Sequence, residues 1–332
     1  MTSLRPCPSR PHLPSRRPRT RGLLAAAAVA GAVALLASGC SSDVSDAASS
    51  PSTTGAAVET LWGPVTVPAH PTRIVALGFP EATALADLGI TPVGRPTYIP
   101  ELPAYTTLFK DVPVVEDADG KPDLEKIAAT HPDLILIDEF ADKKDKATYD
   151  KLSAIAPTVD LEWKMAAGNW PAEAQGTAEA VGKTAELDKL KAGYEAHADQ
   201  IKKDFADVLA THTVDLVSGD ANNWFLYSEG SSHGRVLVDG GARLGAAANQ
   251  KDGFVQYSPE HYDLLKDTDL IFVAGKDEAA IAPVTSNAVF AATKAAKEGH
   301  VVATNYFFSS SYQIANALLD DFQKGLEELK AK

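Results

Sequence analysis

The side chains able to do chemistry in this 332-residue chain are aromatic before they are nucleophilic. Tyr98, Phe140, Trp163, Trp224, Tyr306, Phe307 and Tyr312 fall largely in loops that follow predicted strands rather than inside those strands. Rings held in such loops can stack on the apolar rim of a ligand, and strand-end loops are where open α/β sheets hold ligands. The run Asn305-Tyr306-Phe307-Phe308-Ser309-Ser310-Ser311-Tyr312 is hard to bury entirely and is expected to form a binding surface. Arg95 and Arg235 lie in or near the same kind of loop and could pair with an anionic group, although each reads equally well as a solvated surface arginine. His233 stands in the loop Ser231-Ser232-His233-Gly234, between a predicted strand and a predicted helix.

Catalytic patterns are missing. The eight histidines include no H-x-H or H-x-x-x-H pair that would put two imidazoles on one face, so a bare zinc or manganese site is not expected. There is no G-x-x-x-x-G-K-[ST], no G-x-G-x-x-G after a strand, no H-E-x-x-H and no G-x-S-x-G. Ser231 and Ser232 sit beside His233, but catalytic Ser/His pairs assemble from distant segments. The chain is therefore expected to be no enzyme and to carry no cofactor.

The elements that must position these residues alternate short β-rich runs with helical stretches, the pattern of open α/β sheets covered by helices. Predicted strands are Arg73–Leu77, Pro113–Val115, Leu134–Asp138, Val214–Ser218, Trp224–Ser228, Leu270–Ala274 and His300–Thr304. Predicted helices are Pro80–Leu88, Leu124–Thr130, Lys146–Ala156, Pro259–Lys266 and Ser311–Leu329. Thr184–Ala210 differs, with an apolar stripe at Leu187, Leu190, Tyr194, Ala198, Ile201, Phe205 and Val208. Steps of three and four predict one amphipathic helix, roughly 40 Å long and N-capped by Thr184. The chain half-repeats across this helix. Leu124-Glu125-Lys126-Ile127 leads into Asp133-Leu134-Ile135-Leu136-Ile137 as Pro259-Glu260-His261-Tyr262 leads into Asp269-Leu270-Ile271-Phe272-Val273. The predicted fold is α/β, with two open-sheet lobes joined by one long helix and a ligand cleft between the lobes.

The N-terminus carries an address. Six arginines precede the uncharged run Leu23–Ala37 and then Ser38-Gly39-Cys40: a basic region, an apolar region and a small-residue cleavage site. The apolar run is about fifteen residues, short of the roughly 20 that span a bilayer. Leu36-Ala37-Ser38-Gly39-Cys40 resembles a bacterial lipobox, which implies a lipid on Cys40 as the first residue of the mature chain. Residues 41–57 offer hardly a large apolar side chain and are expected to be a flexible leash. Without the signal and Cys40 the folded part has no thiol, which excludes disulfides and cysteine-ligated metals. Removing the six arginines takes the formal charge from −13 to −19, a poor balance for binding nucleic acid or for docking on an anionic bilayer by charge. The expected organisation is a signal peptide at 1–39, the lipidated cysteine and tether at 40–57, an N-terminal lobe at 58–183, the connecting helix at 184–210 and a C-terminal lobe at 211–332.

Three stretches carry a wider resemblance. Pro71-Thr72-Arg73-Ile74-Val75-Ala76-Leu77, then Pro80-Glu81-Ala82-Thr83-Ala84-Leu85-Ala86-Asp87-Leu88-Gly89-Ile90 with Pro92-Val93-Gly94, and Pro122-Asp123-Leu124-Glu125-Lys126-Ile127 through His131-Pro132-Asp133-Leu134-Ile135 resemble ferric-siderophore substrate-binding proteins of bacterial ABC importers. Cobalamin and haem carriers share that fold, and a cell-wall adhesion or enzyme lipoprotein is the reading left by the leader and leash alone. The resemblance implies a lipid-anchored, extracytoplasmic monomer whose ligand is an iron(III)-siderophore complex and whose partner is the importer's permease. It implies that Glu125 and Glu260 meet permease arginines, with Glu81 and Asp150 as substitutes. Tyr306, with Phe307 beside it, matches the aromatic contact after the last strand, and the region of Trp224 and His233 matches a loop contact of the C-terminal lobe. Where hydroxamate binders have an arginine, this chain has Asp119 with Lys121 nearby, and Arg95 and Tyr98 are expected to take that role. His233 or Tyr306 would complete an iron shell that a tetradentate chelator leaves open.

Overall fold

A computed structural model describes residues 54–138, 145–161 and 168–331. An antiparallel pair, β1 (Thr54–Val58) and β2 (Val65–Pro68), comes first and buries Val58 and Val67, so regular structure begins four residues before the expected start of the N-terminal lobe. The N-terminal lobe is the parallel sheet β3 (Ile74–Ala76), β4 (Leu134–Asp138) and β5 (Thr158–Leu161), in the order β3-β4-β5. All five residues of β4 are buried, as befits a strand covered by helices on both faces. Parallel bridges from Val75 to Gly94 and from Arg95 to Val114 widen this sheet. That one bridge is all that forms of the expected strand at 113–115, because Pro113 has no N–H to carry a ladder.

The C-terminal lobe is a five-stranded sheet of β6 (Val214–Gly219), β7 (Trp224–Tyr227), β8 (Phe254–Tyr257), β9 (Leu270–Ala274) and β10 (Val301–Thr304), in the order β10-β9-β6-β7-β8. β10, β9 and β6 are parallel, and β7 and β8 pair antiparallel. The Asp220 carboxylate accepts from the amides of Asn222 (2.7 Å) and Asn223 (3.0 Å), which closes the tight β6–β7 turn.

Helices α1 (Phe79–Asp87), α2 (Pro103–Leu108), α3 (Leu124–Ala129) and α4 (Lys146–Ser153) belong to the first lobe. Next come α5 (Trp170–Ala180), α6 (Thr184–Asp204) and α7 (Ala206–Thr211). The expected single long helix is thus two. Phe205 leaves helical geometry (φ −117°, ψ 20°), and both its ring and Val208 are buried on either side of the break. The intact part is about 31 Å at 1.5 Å per residue. Thr184 is its first residue and not its cap; Lys183 holds that place without a side-chain bond and pairs instead with Glu186 at 2.8 Å. The second lobe adds α8 (Ser232–Asp239), α9 (Glu278–Thr285), α10 (Lys294–Glu298) and the long α11 (Tyr312–Lys330). The expected helix at 259–266 is a 3-10 helix over Pro259–Leu265. Its three-residue period keeps Tyr262 and Leu265 on one inward face, where Tyr262 stacks on Trp224 at 4.6 Å.

One hydrophobic core runs through both lobes. It links Ile74 and Leu136 of the first sheet to Leu216 and Phe272 of the second through Trp170, Tyr194, Leu318 and Phe322. α11 packs so closely on β9 that a Cβ at Gly325 would stand 2.8 Å from Leu270 Cδ2. Among the described residues no helix is long and apolar enough to cross a membrane.

Candidate functional site in the seam between the lobes

The two lobes meet where the segment between β10 and α11 lies against α1, α2 and the loop before α2. Thr83 Oγ1 and Ser310 Oγ are 2.9 Å apart, the Tyr105 hydroxyl is 2.6 Å from Ser311 Oγ, and the Gln313 amide donates to Asp87 at 2.9 Å. Asn305 reaches Glu101 at 3.5 Å. Ser309, Ser310 and Ser311 are all buried, as are Phe307 and Tyr312. The run expected to be hard to bury entirely is thus buried at five of its eight residues. Small hydroxyl side chains let it tuck into the seam, with the Ser310 and Ser311 hydroxyls partnered across it, and only Asn305, Tyr306 and Phe308 remain half-buried.

Half-buried rings flank the seam. In the first lobe Phe79, at the carboxyl end of β3, meets the edge of Tyr98 at 5.3 Å, and Tyr98 is 52% exposed. In the second lobe Phe225, Phe254, Tyr306 and Phe308 are half-buried. They lie over a closed layer of Tyr227, His233 and Phe307, in which the His233 ring is 4.2 Å from each of its two neighbours. Burial drives the His233 pKa down to about 3, so its imidazole is neutral. Phe79, Phe225 and Phe254 were not among the expected residues. The signal for the last two was the period-two alternation of their strands, in which Trp224 and Leu226 face one way and Phe225 and Tyr227 the other.

The other expected residues separate. Trp224 is fully buried, stacked on Tyr262 and donating from Nε1 to the Ser258 carbonyl at 2.9 Å; it is a core residue of its lobe and offers a ligand no surface. Tyr312 is likewise closed in, at 4.9 Å from Trp170 and 5.8 Å from Tyr194. Arg95 donates to the carbonyls of Val112 (3.2 Å), Pro96 (3.0 Å) and Thr97 (3.4 Å), so it braces its own loop. It borders a cavity of about 350 Å³ with Ile99, Glu101, Tyr105 and Lys110. Arg235 is exposed and pairs with Asp239 at 2.8 Å, beside a second cavity of about 510 Å³ lined also by Trp170, Lys191, Tyr194 and Tyr312. Phe140, Trp163 and Cys40 lie outside the described residues.

Glu125 and Glu260 are both exposed, each in the first turn of the short helix that feeds a buried strand, β4 in one lobe and β9 in the other. The Ser258 hydroxyl holds the Glu260 carboxyl below the usual range. Asp150 is exposed, whereas Glu81 is fully buried and can touch no partner.

Residues 74–306 match the periplasmic binding protein family. The chain belongs to that family. The lipoprotein YhfQ of Bacillus subtilis (strain 168), provisionally named as a substrate-binding component of an ABC transporter, is 30% identical over 299 residues, 81% of this chain and 87% of that protein. The Fe(3+)-citrate-binding protein YfmC of the same organism is 26% identical over 278 residues, 80% of this chain and 84% of its own length. Among solved structures, the siderophore periplasmic binding protein from the fuscachelin gene cluster of Thermobifida fusca superposes with a TM-score of 0.70 at 25% identity, covering 79% of this chain and 98% of that one. The two α/β lobes of this binding protein are those of its family, and the seam between them is the place its architecture offers to a ligand.

Proposed function

We propose that this protein captures a ferric siderophore outside the cell and delivers it to the permease of an ABC importer. The observation that carries the reading is the set of rings that reach solvent on both sides of the seam, half-buried Phe79 with exposed Tyr98 on one lobe and half-buried Phe225, Phe254, Tyr306 and Phe308 on the other, in a chain of this family. An iron chelate presents an apolar rim and polar donor groups. The rings take the rim by stacking, and Arg235, half its side chain in solvent, offsets residual negative charge on the chelate. No covalent step is needed, iron is cargo, and the protein has no catalytic task and no cofactor of its own. Tyr306 is half-buried at the seam and can approach the metal, whereas His233 must first be uncovered by Phe307.

On this reading a lipid on Cys40 holds the protein at the outer face of the membrane, residues up to the first strand act as the leash, and a single copy suffices. Glu125 and Glu260 then grip the permease, one acid per lobe. The test is a fluorescence titration with ferric hydroxamate, catecholate and citrate-type siderophores, with cobalamin and haem as controls. Saturable sub-micromolar quenching by one ferric chelate supports the reading. Quenching by cobalamin or haem alone reassigns the cargo, and no response to any of them removes the proposed function.

A further inference from the structure

Glu125 and Glu260 stand at matching places in the half-repeat, but their surroundings do not match. Four residues after Glu125 comes Ala129, the last residue of α3, and four residues after Glu260 comes Leu264, in the 3-10 helix Pro259–Leu265. All four side chains are exposed. Among the described residues only Leu61, Tyr98 and Leu264 are large hydrophobics left in solvent, and Leu264 is 41% exposed. A single exposed leucine is ordinary on a surface. This one stands beside an acid that has no cation of its own, on a turn that holds it outward.

The turn is rigid. At three residues per turn, Tyr262 and Leu265 take the inward row, His261 and Leu264 an outward one, and Glu260 and Asp263 the row beside it. Tyr262 and Leu265 are fully buried, and Tyr262 stacks on Trp224, which in turn donates to the Ser258 carbonyl at 2.9 Å. Leu264 cannot enter the core without displacing one of those side chains. The Ser258 hydroxyl keeps Glu260 ionised. Among the described residues no lysine or arginine pairs with Glu125 or Glu260, and Lys126, next to Glu125, is taken by Asp123 at 3.3 Å. Each lobe therefore offers a free carboxylate to a basic partner, and only the second lobe adds an apolar side chain.

We infer that Leu264 is the apolar anchor of the contact with the permease and decides which way round the protein docks. On the proposed delivery to a permease, on which this rests, the partner must carry a basic residue opposite each acid and an apolar socket beside the one that meets Glu260. Exposed ion pairs contribute little in water, at most about fivefold in affinity each, and two like pairs accept the molecule in either direction. An apolar side chain on one lobe alone strengthens one orientation and leaves the reverse with an unfilled socket.

The test measures uptake of radioiron, presented in spent medium from iron-starved cultures, by cells whose own copy of the full chain is replaced with variants made in limiting amount. Leu264→Ser should lower uptake about tenfold, while the thermal midpoint and the fluorescence response of the purified protein to the same medium stay unchanged. Ala129→Leu combined with Leu264→Ala keeps one exposed leucine but moves it to the other lobe, and should lower uptake as far as Leu264→Ser does. Full uptake in that exchange overturns the orienting role, and full uptake in Leu264→Ser overturns the anchor. Glu125→Arg with Glu260→Arg separates the two ways of failing. If this pair stops uptake and Leu264→Ser does not, delivery stands and the leucine has no part in it; if neither has an effect, delivery falls and the anchor with it.

Discussion

The polar node at the seam makes a prediction whose size depends on pH. The Tyr105 hydroxyl donates to Asp87 and lies 2.6 Å from Ser311 Oγ, while Asp87 also accepts the Gln313 amide at 2.9 Å. Burial raises the Asp87 carboxyl from 3.8 to about 6, with the Tyr105 and Gln313 bonds pulling it back. The folded protein therefore keeps this proton at pH values where the unfolded chain has lost it. This group's contribution to stability is undiminished below about pH 4, falls as pH rises towards about 6, and is then constant. Tyr105→Phe keeps the ring, which is 1% exposed and packs edge-on to Phe109, so no cavity opens and only the hydroxyl is lost. A hydrogen bond to a charged partner contributes about 1.5–3 kcal/mol and one to a neutral partner about 0.5–1.5 kcal/mol. The substitution should therefore cost about 1.5–3 kcal/mol near pH 7.5, where Asp87 is ionised, and about half that near pH 4.5, where it is not. At roughly 2–4 °C per kcal/mol, the melting temperature falls by several degrees more at the higher pH. Urea unfolding at both pH values measures it. Equal losses at the two, or a larger loss in acid, would refute an ionised Asp87 as the acceptor.

Phe308→Ala should weaken binding of the cognate ferric chelate about tenfold, as expected for loss of a stacking ring, with little change in melting temperature; an unchanged Kd by calorimetry removes Phe308 from the binding wall. Gly325→Val forces a branched side chain into Leu270 and Phe272, and should lower stability by about 1–3 kcal/mol in denaturant titration despite a better helix propensity; no loss would show that α11 can move off β9. Glu125→Arg combined with Glu260→Arg should leave folding and chelate binding intact, since both side chains are exposed, yet abolish siderophore-dependent growth. Growth at the normal rate would dismiss the two-acid grip.

What could be read in the sequence was what local pattern dictates. β4 and β9 are continuous apolar runs with an acid-bearing turn before each, and both fall where expected to the residue. The strands Thr158–Leu161 and Phe254–Tyr257 went unread because their residues mix charge or amide with apolar groups, Asp160 in one and Gln256 in the other. Asp160 is buried regardless, which no pattern of polar and apolar residues would suggest. The site divides the same way. Aromatics after strands were visible, but whether a ring faces solvent or the core depends on partners far along the chain. Trp224 is closed by Tyr262, His233 by Tyr227 and Phe307, and Tyr312 by Trp170. Ser310 and Ser311 looked like loop and proved to be the buried polar side of the seam, because their partners Thr83 and Tyr105 are more than two hundred residues away.

The continuous core bears on how such a molecule can present a cargo. Trp170, Tyr194, Leu318 and Phe322 belong to one cluster with residues of both sheets, so α5, α6 and α11 are packed into each lobe and are not a bare hinge between them. Swinging the lobes widely apart would expose that apolar layer together with the buried Thr83–Ser310 and Tyr105–Ser311 contacts, at a cost that grows with the area uncovered. Small displacements of the seam loops, where Tyr98, Tyr306 and Phe308 already meet solvent, uncover far less. The spacing of Glu125 and Glu260 is then fixed by the packed helix layer and not by a flexible linker. A grip by one acid on each lobe depends on a fixed spacing, which the half-repeat alone would not provide.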